Sequence, residues 1–142
     1  MAAQHLDKDG SPTRSALVVE DDPDVRALVG RMLRGSGLQV SEVSEGRSAI
    51  LHLATHETPD LVCLDLMLPE LSGYDVCEYM RGDARLKAVP ILILSARALP
   101  QDRAYAEQVG ATSYLVKPFK QKTFQAAVDA LLVHSLGPEG RS

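Results

Sequence analysis

The sequence is short of several things, and each shortage removes a class of protein. Only two cysteines occur in 142 residues, Cys63 in an apolar run and Cys77 in a helical stretch, and their spacing suits no metal site. A disulfide scaffold is excluded, and both read as reduced, buried thiols of an intracellular protein. No apolar run approaches the ~20 residues of a membrane span, and the opening MAAQHLDKDGSPTR lacks the apolar centre of a signal peptide. The expectation is a cytoplasmic protein with no membrane partner. No basic stripe offsets a formal charge of −4, so nothing predicts a nucleic-acid partner. No internal repeat or low-complexity segment interrupts the chain.

What is present suffices for one core, with 45% apolar residues in a length typical of a single domain. Three short continuous apolar runs, ALVV (16 to 19), LVCL (61 to 64) and ILIL (91 to 94), read as parallel strands covered on both faces. LQV (38 to 40) alternates, and TSYLV (112 to 116) mixes polar with apolar residues, which suits half-covered edge strands. Between them, Val25, Leu28, Val29, Met32 and Leu33 keep helical spacing, as do Phe124, Ala127, Val128, Leu131 and Leu132. Helices are also predicted over 45 to 56, 73 to 82 and 100 to 109, the last opened by Pro100 and stopped by Gly110. The alternation βαβαβαβαβα calls for an open five-stranded parallel sheet with helices on both faces and right-handed crossovers. Residues 1–14 and 135–142 are expected to be disordered tails around a domain at 15–134.

The first strand runs into three carboxylates, Glu20, Asp21 and Asp22, within VVEDD. Side by side, such charges repel by up to ~4 kcal/mol per close pair at an effective dielectric near 20. Asp22 precedes Pro23, so an N-cap followed by Pro at the first helical position explains it without any function. Glu20 and Asp21 stay unexplained by local structure. In a doubly wound sheet of order 2-1-3-4-5, the ligand crevice lies where strands 1 and 3 diverge. Strand 3 ends in Asp65, and strands lie ~4.8 Å apart, so three carboxylates should share that crevice. A hard divalent cation suits them, and Mg²⁺ is the natural choice. Ser95 ends the fourth strand with a hydroxyl, and Lys117 ends the fifth with a positive charge. Together these are the parts of a phosphoryl-transfer site whose nucleophile would be a carboxylate.

At this point VVEDDPDV, LDLMLPELSG, LSA and YLVKPF resemble the motifs of two-component response-regulator receiver domains, across about residues 15 to 134. The resemblance implies the flavodoxin-like receiver fold, and a signalling domain of the single-domain, chemotaxis-regulator kind or one cut from a longer protein. Asp65 would be the phosphoacceptor, receiving its phosphoryl group from a histidine kinase or phosphotransfer protein. Rather than an enzyme, the chain would be an acceptor that assists its own phosphotransfer and dephosphorylation. Asp21 and Asp65 would hold Mg²⁺ directly with the backbone carbonyl of Met67, and Glu20 largely through water. Ser95 and Lys117 would hold the phosphoryl oxygens, the Lys117-Pro118 bond would be cis, and Tyr114 would be the aromatic switch. The face formed by helix 4, strand 5 and helix 5 would carry the signal to a downstream protein, with a homodimer on phosphorylation among the implied assemblies. Met67 and Arg97 fall where the family varies and where the lifetime of its phosphoryl group is tuned.

Taken singly, the same residues have plainer readings. Asp65 could cap a loop, Ser95 could sit in a turn, and Lys117 could be a solvated loop lysine. Tyr114 could be edge-strand packing. Their convergence at one crevice is what favours the functional reading. His52 and His56 have i, i+4 spacing but no third ligand in view, and read as a solvated helix face. An aspartyl phosphohydrolase would want a second Asp where Met67 stands, by resemblance to that class. A nucleotide or flavin module would want a glycine-rich or hydroxyl-rich first loop rather than EDD. The main alternative is a receiver fold serving as a constitutive protein-interaction module that is never phosphorylated.

Overall fold

The computed structural model describes the backbone of residues 13–141 and the side chains of residues 13–133. Five strands and five helices alternate: β1 (Ser15–Val19), α1 (Pro23–Gly35), β2 (Gln39–Val43), α2 (Gly46–Thr55), β3 (Leu61–Asp65), α3 (Gly73–Arg81), β4 (Ile91–Ser95), α4 (Pro100–Gln108), β5 (Ser113–Val116) and α5 (Gln121–Arg141). The strands form one parallel sheet in the order β2-β1-β3-β4-β5, the doubly wound arrangement predicted from the alternation.

Period-2 alternation within the central strands divides the core into two layers. Leu17, Val19, Val62, Leu64, Ile91 and Ile93 face α2, α3 and α4 and pack with Leu53, Val76, Met80 and Ala106. Ala16, Val18, Leu61, Cys63, Leu92 and Leu94 face the other way, against Val29 and Leu33 of α1 and Phe124 and Val128 of α5. Both faces of β3 and β4 are buried from end to end, which is why these strands read as unbroken apolar runs.

Helix starts follow local chemistry. Asp22 is the N-cap of α1, its Oδ1 accepting from the backbone N–H of Asp24 at 2.9 Å and of Val25 at 3.2 Å. Ser72 and Asp75 form a reciprocal capping box at the start of α3. Gly110 ends α4 at a φ of +111°, a backbone conformation that glycine adopts without cost.

Two segments differ from the sequence reading. Strand β2 begins one residue later than expected and runs on through Ser41 and Glu42 to Val43. Glu42 is accommodated there because Arg34 (2.8 Å) and Arg26 (4.0 Å) reach it from α1. The second difference is at the carboxyl end, where α5 continues to Arg141 through most of the expected tail 135–142. Most of the expected tail 1–14, residues 1–12, lies outside the described residues.

Candidate phosphoryl-acceptor site

The sheet register carries the site residues to one rim. Val19 pairs with Leu64, Asp65 with Leu94, and Ser95 with Val116. Glu20, Asp65, Ser95 and Lys117 therefore stand at, or one residue past, the carboxyl ends of four adjacent strands. Glu20 and Asp65 are 1% and 5% exposed, whereas Asp21 lies open to solvent beside them. One ligand oxygen from each of Glu20, Asp21 and Asp65 lies within 4.8 Å of the others. Among the described residues no other group of three metal-ligating side chains forms, and His52 and His56 simply stack at 3.8 Å on α2.

Lys117 answers the repulsion between the buried carboxylates. Its Nζ donates to Glu20 Oε1 at 2.7 Å and to Asp65 Oδ2 at 3.2 Å. The Lys117-Pro118 bond that follows is cis, as the resemblance implied. The second oxygen of each carboxylate is held by the backbone, Glu20 Oε2 by Asp22 N–H (3.1 Å) and Asp65 Oδ1 by Met67 N–H (3.0 Å). Burial pushes the Glu20 carboxyl up to about 7, with Lys117 opposing the rise and Asp65 reinforcing it. Burial also works against the Lys117 ammonium, yet the hydrogen bond to Glu20 and the charge of Asp65 hold it above the usual lysine range. This donor set of hard carboxylate oxygens, one of them solvent-facing, fits a small divalent cation that keeps several waters.

Ser95 and Tyr114 are set apart from this quartet. Ser95 is fully buried, and its Oγ accepts from Arg97 N–H at 3.1 Å; the hydroxyl hydrogen remains a donor. The Tyr114 hydroxyl donates to the carbonyl of Arg97 at 2.9 Å, while Arg103 lies 5.0 Å above its ring. Both residues thus meet at the backbone of Arg97 and not at Asp65.

Three contacts at the site go beyond what the motifs announce. Arg26 donates to the Glu20 carbonyl at 2.8 Å, fixing the turn that carries the acidic pair. A Cβ on Gly73 would lie 2.4 Å from the Asp65 carbonyl oxygen and 2.8 Å from Leu66 Cα, so only glycine lets α3 start this close to Asp65. The ion pair between Arg97 Nε and Asp102 Oδ1, at 3.0 Å, joins the rim to α4. The SG that ends LDLMLPELSG was the nearest signal for the second; the other two join residues six and five apart in the chain, across a strand-to-helix loop, a spacing that matches neither the helical nor the strand period.

A doubly wound sheet with a lysine-bridged acidic crevice at its switch point is the architecture of a receiver-type signalling domain. The family described as the response regulator receiver domain matches residues 16–129, and the chain belongs to that family. Its members are signalling domains phosphorylated on aspartate by histidine kinases. Among curated relatives, the alkaline phosphatase synthesis transcriptional regulatory protein SphR of Synechococcus elongatus is 38% identical over 133 residues, covering 88% of this chain and 51% of that protein. The DNA-binding response regulator MtrA of Mycolicibacterium smegmatis is 41% identical over 117 residues, covering 82% and 49%. The chain thus spans about half the length of these relatives. Among solved structures, the receiver domain of sensor histidine kinase PA1611 from Pseudomonas aeruginosa, with a magnesium ion coordinated in the active site cleft, superimposes with a TM-score of 0.78 at 32% identity, covering 85% of this chain and 98% of that one. Chemotaxis protein CheY4 of Vibrio cholerae gives 0.79 at 28% identity, covering 84% and 99%. No described helix is long and apolar enough to cross a membrane.

Proposed function

We propose that Asp65 is the phosphoacceptor of this receiver and that its phosphorylation by a histidine kinase or phosphotransfer protein depends on Mg²⁺. The observation that carries the reading is Lys117, its ammonium set between Glu20 and Asp65 at 2.7 and 3.2 Å with Asp21 alongside. An Asp65 oxygen attacks the phosphorus, the P–N bond of the donor phosphohistidine breaks, and the imidazole leaves with the electron pair. Asp21, Asp65, the Met67 carbonyl and, through water, Glu20 would hold the cation, which neutralises charge on the transferring group. The magnesium reported in the PA1611 receiver supports the same use of this crevice. Lys117 then turns from carboxylate to phosphoryl oxygen, and the Ser95 hydroxyl supplies a donor from the end of β4.

One chain of contacts supports output through the α4-β5-α5 face. Ser95 Oγ holds the N–H of Arg97, and the carbonyl of Arg97 holds the Tyr114 hydroxyl. A pull on Ser95 therefore reaches Tyr114 through a single residue. The cognate kinase, the downstream protein and any phosphorylation-linked homodimer would be recognised by surfaces beyond this rim.

Intact mass after incubation with acetyl phosphate tests the core of the reading. Wild type should gain one phosphoryl group with Mg²⁺ and lose that gain in EDTA, while Asp65→Asn should gain none. Equal labelling of the two proteins would remove Asp65 from its role. No labelling of wild type would leave the fold as a constitutive interaction module.

A further inference from the structure

Helix α4 is held to the body by very little: of its nine residues only Asp102 and Ala106 are buried. Asp102 is a carboxylate, 5% exposed, and its Oδ2 has no hydrogen-bond partner among the described residues. Leaving a buried charged oxygen unsatisfied is costly, so its retention calls for a reason. Its other oxygen, Oδ1, takes the Nε–H of Arg97 at 3.0 Å, and the Arg97 side chain is half exposed. The same guanidinium reaches the sulfur of Met67 at 3.9 Å, and the Met67 N–H holds Asp65 Oδ1. Arg97 is thus a cation parked at the rim of the acceptor crevice, with its backbone on Ser95 and its charge on α4.

We infer that Asp102 is a positioning residue that holds the Arg97 guanidinium on α4 in competition with the phosphoryl group, so that occupancy of Asp65 and the seating of α4 are coupled through this one ion pair. The inference rests on Asp65 being the acceptor. A phosphoryl group brings up to two negative charges and three acceptor oxygens to the crevice, and planar guanidinium is well matched to such an anion. Each interaction that Arg97 gives to the phosphoryl group is taken from Asp102, whose second oxygen has nothing in reserve. Helix α4 then loses one of its two buried anchors. Because coupling between two equilibria is reciprocal, weakening the Arg97–Asp102 pair must strengthen binding of the anion at Asp65.

The test is a double-mutant cycle on the affinity for beryllofluoride, a phosphoryl mimic, at saturating Mg²⁺ in wild type, Asp102→Asn, Arg97→Gln and the double variant. Asp102→Asn keeps the shape of the side chain, and circular dichroism checks that all four proteins are folded at the assay temperature. Asp102→Asn should bind about three- to tenfold more tightly than wild type. Arg97→Gln should bind more weakly, and adding Asp102→Asn to it should change nothing further. A helix-stabilising role for Asp102 would not produce that non-additivity. Hydrogen exchange supplies a second measurement: residues 98–104 of wild type should lose protection on binding beryllofluoride, and those of Asp102→Asn should already have lost it. An unchanged or weaker affinity in Asp102→Asn, or a gain that persists without Arg97, overturns the inference while the acceptor assignment stands. If wild type itself binds no beryllofluoride with Mg²⁺, both fall.

Discussion

At the scale of single residues, the crevice is a problem in charge placement, and Lys117 solves part of it. Breaking a buried pair by removing one partner costs roughly 3 kcal/mol or more because the remaining charge has no compensation. Lys117→Met should therefore be destabilised by about that much in EDTA, since Glu20 and Asp65 would face each other without the ammonium. Mg²⁺ should recover part of the loss, because a cation held by Asp21 and Asp65 would supply positive charge where the ammonium had been. Asp21→Asn should behave oppositely. It removes one solvent-screened repulsion and should gain up to about 1 kcal/mol in EDTA, but it lacks a metal ligand. Wild type gains about 1.4 kcal/mol at ten times the dissociation constant for Mg²⁺, and Asp21→Asn should gain little. Urea melts of the three proteins with EDTA and with millimolar Mg²⁺ check both, and an Asp21→Asn that is weaker in EDTA yet fully responsive to Mg²⁺ would break up the carboxylate cluster. VVEDD made this cluster legible because three adjacent carboxylates at a strand end have no local excuse. Arg26 and Asp102 were not legible, since an isolated arginine or an acidic residue in a first helical turn has many ordinary uses.

Among the elements, those whose pattern reflects a single cause were read correctly. Strands β3 and β4 are covered on both faces and so are apolar throughout. Strand β2 is an edge, and Ser41 and Glu42 hid it because the pairing of Glu42 with Arg34 and Arg26 is tertiary. The same contrast governs glycine. Gly73→Ala would force a Cβ against the backbone of Asp65 and Leu66, which cannot yield like a flexible side chain. A loss of about 2–3 kcal/mol in urea is expected, together with slower labelling by acetyl phosphate because β3 and its Asp65 must shift. At Gly35, the last residue of α1, a Cβ meets nothing within 4 Å, so Gly35→Ala should be neutral or stabilising by up to about 1 kcal/mol. Equal costs at the two positions would argue against close packing of α3 on β3. Thiol chemistry reports on the same packing. Burial raises Cys63 to about 12 and Cys77 to about 11, so neither should react with an alkylating reagent at pH 8 until urea unfolds the chain.

At the scale of the whole molecule, the sheet has a core on each face, and the site lies on neither. It lies at the rim where β1, β3, β4 and β5 end, so one ligand bound there would face four strand ends at once. Topology made this legible from sequence, because order 2-1-3-4-5 brings the ends of strands 1 and 3 together whatever the side chains are. Output is harder to read, since it depends on which of two packings the rim favours. The contacts that link rim to face run through the segment from Ser95 to Lys117: Ser95 to Arg97, Arg97 to Asp102 and Tyr114, with Lys117 reaching back to Glu20 and Asp65. Helix α2 shares a face of the sheet with α4 but packs against β1 and α3, and its stacked His52 and His56 take no part. Beryllofluoride with Mg²⁺ should therefore change amide exchange across residues 95 to 120 well beyond any change in α2. A ligand shifts a conformational equilibrium only by its differential affinity for the two states, and of the two segments compared only 95–120 carries side chains, Ser95 and Lys117, that would reach the anion. The general stabilisation of the fold by mass action raises protection wherever exchange requires global unfolding, so the comparison uses amides that exchange by local opening. Under that condition, equal changes in α2 and in the 95–120 segment, or none in either, would mean that anion binding at Asp65 does not reach the α4-β5-α5 face.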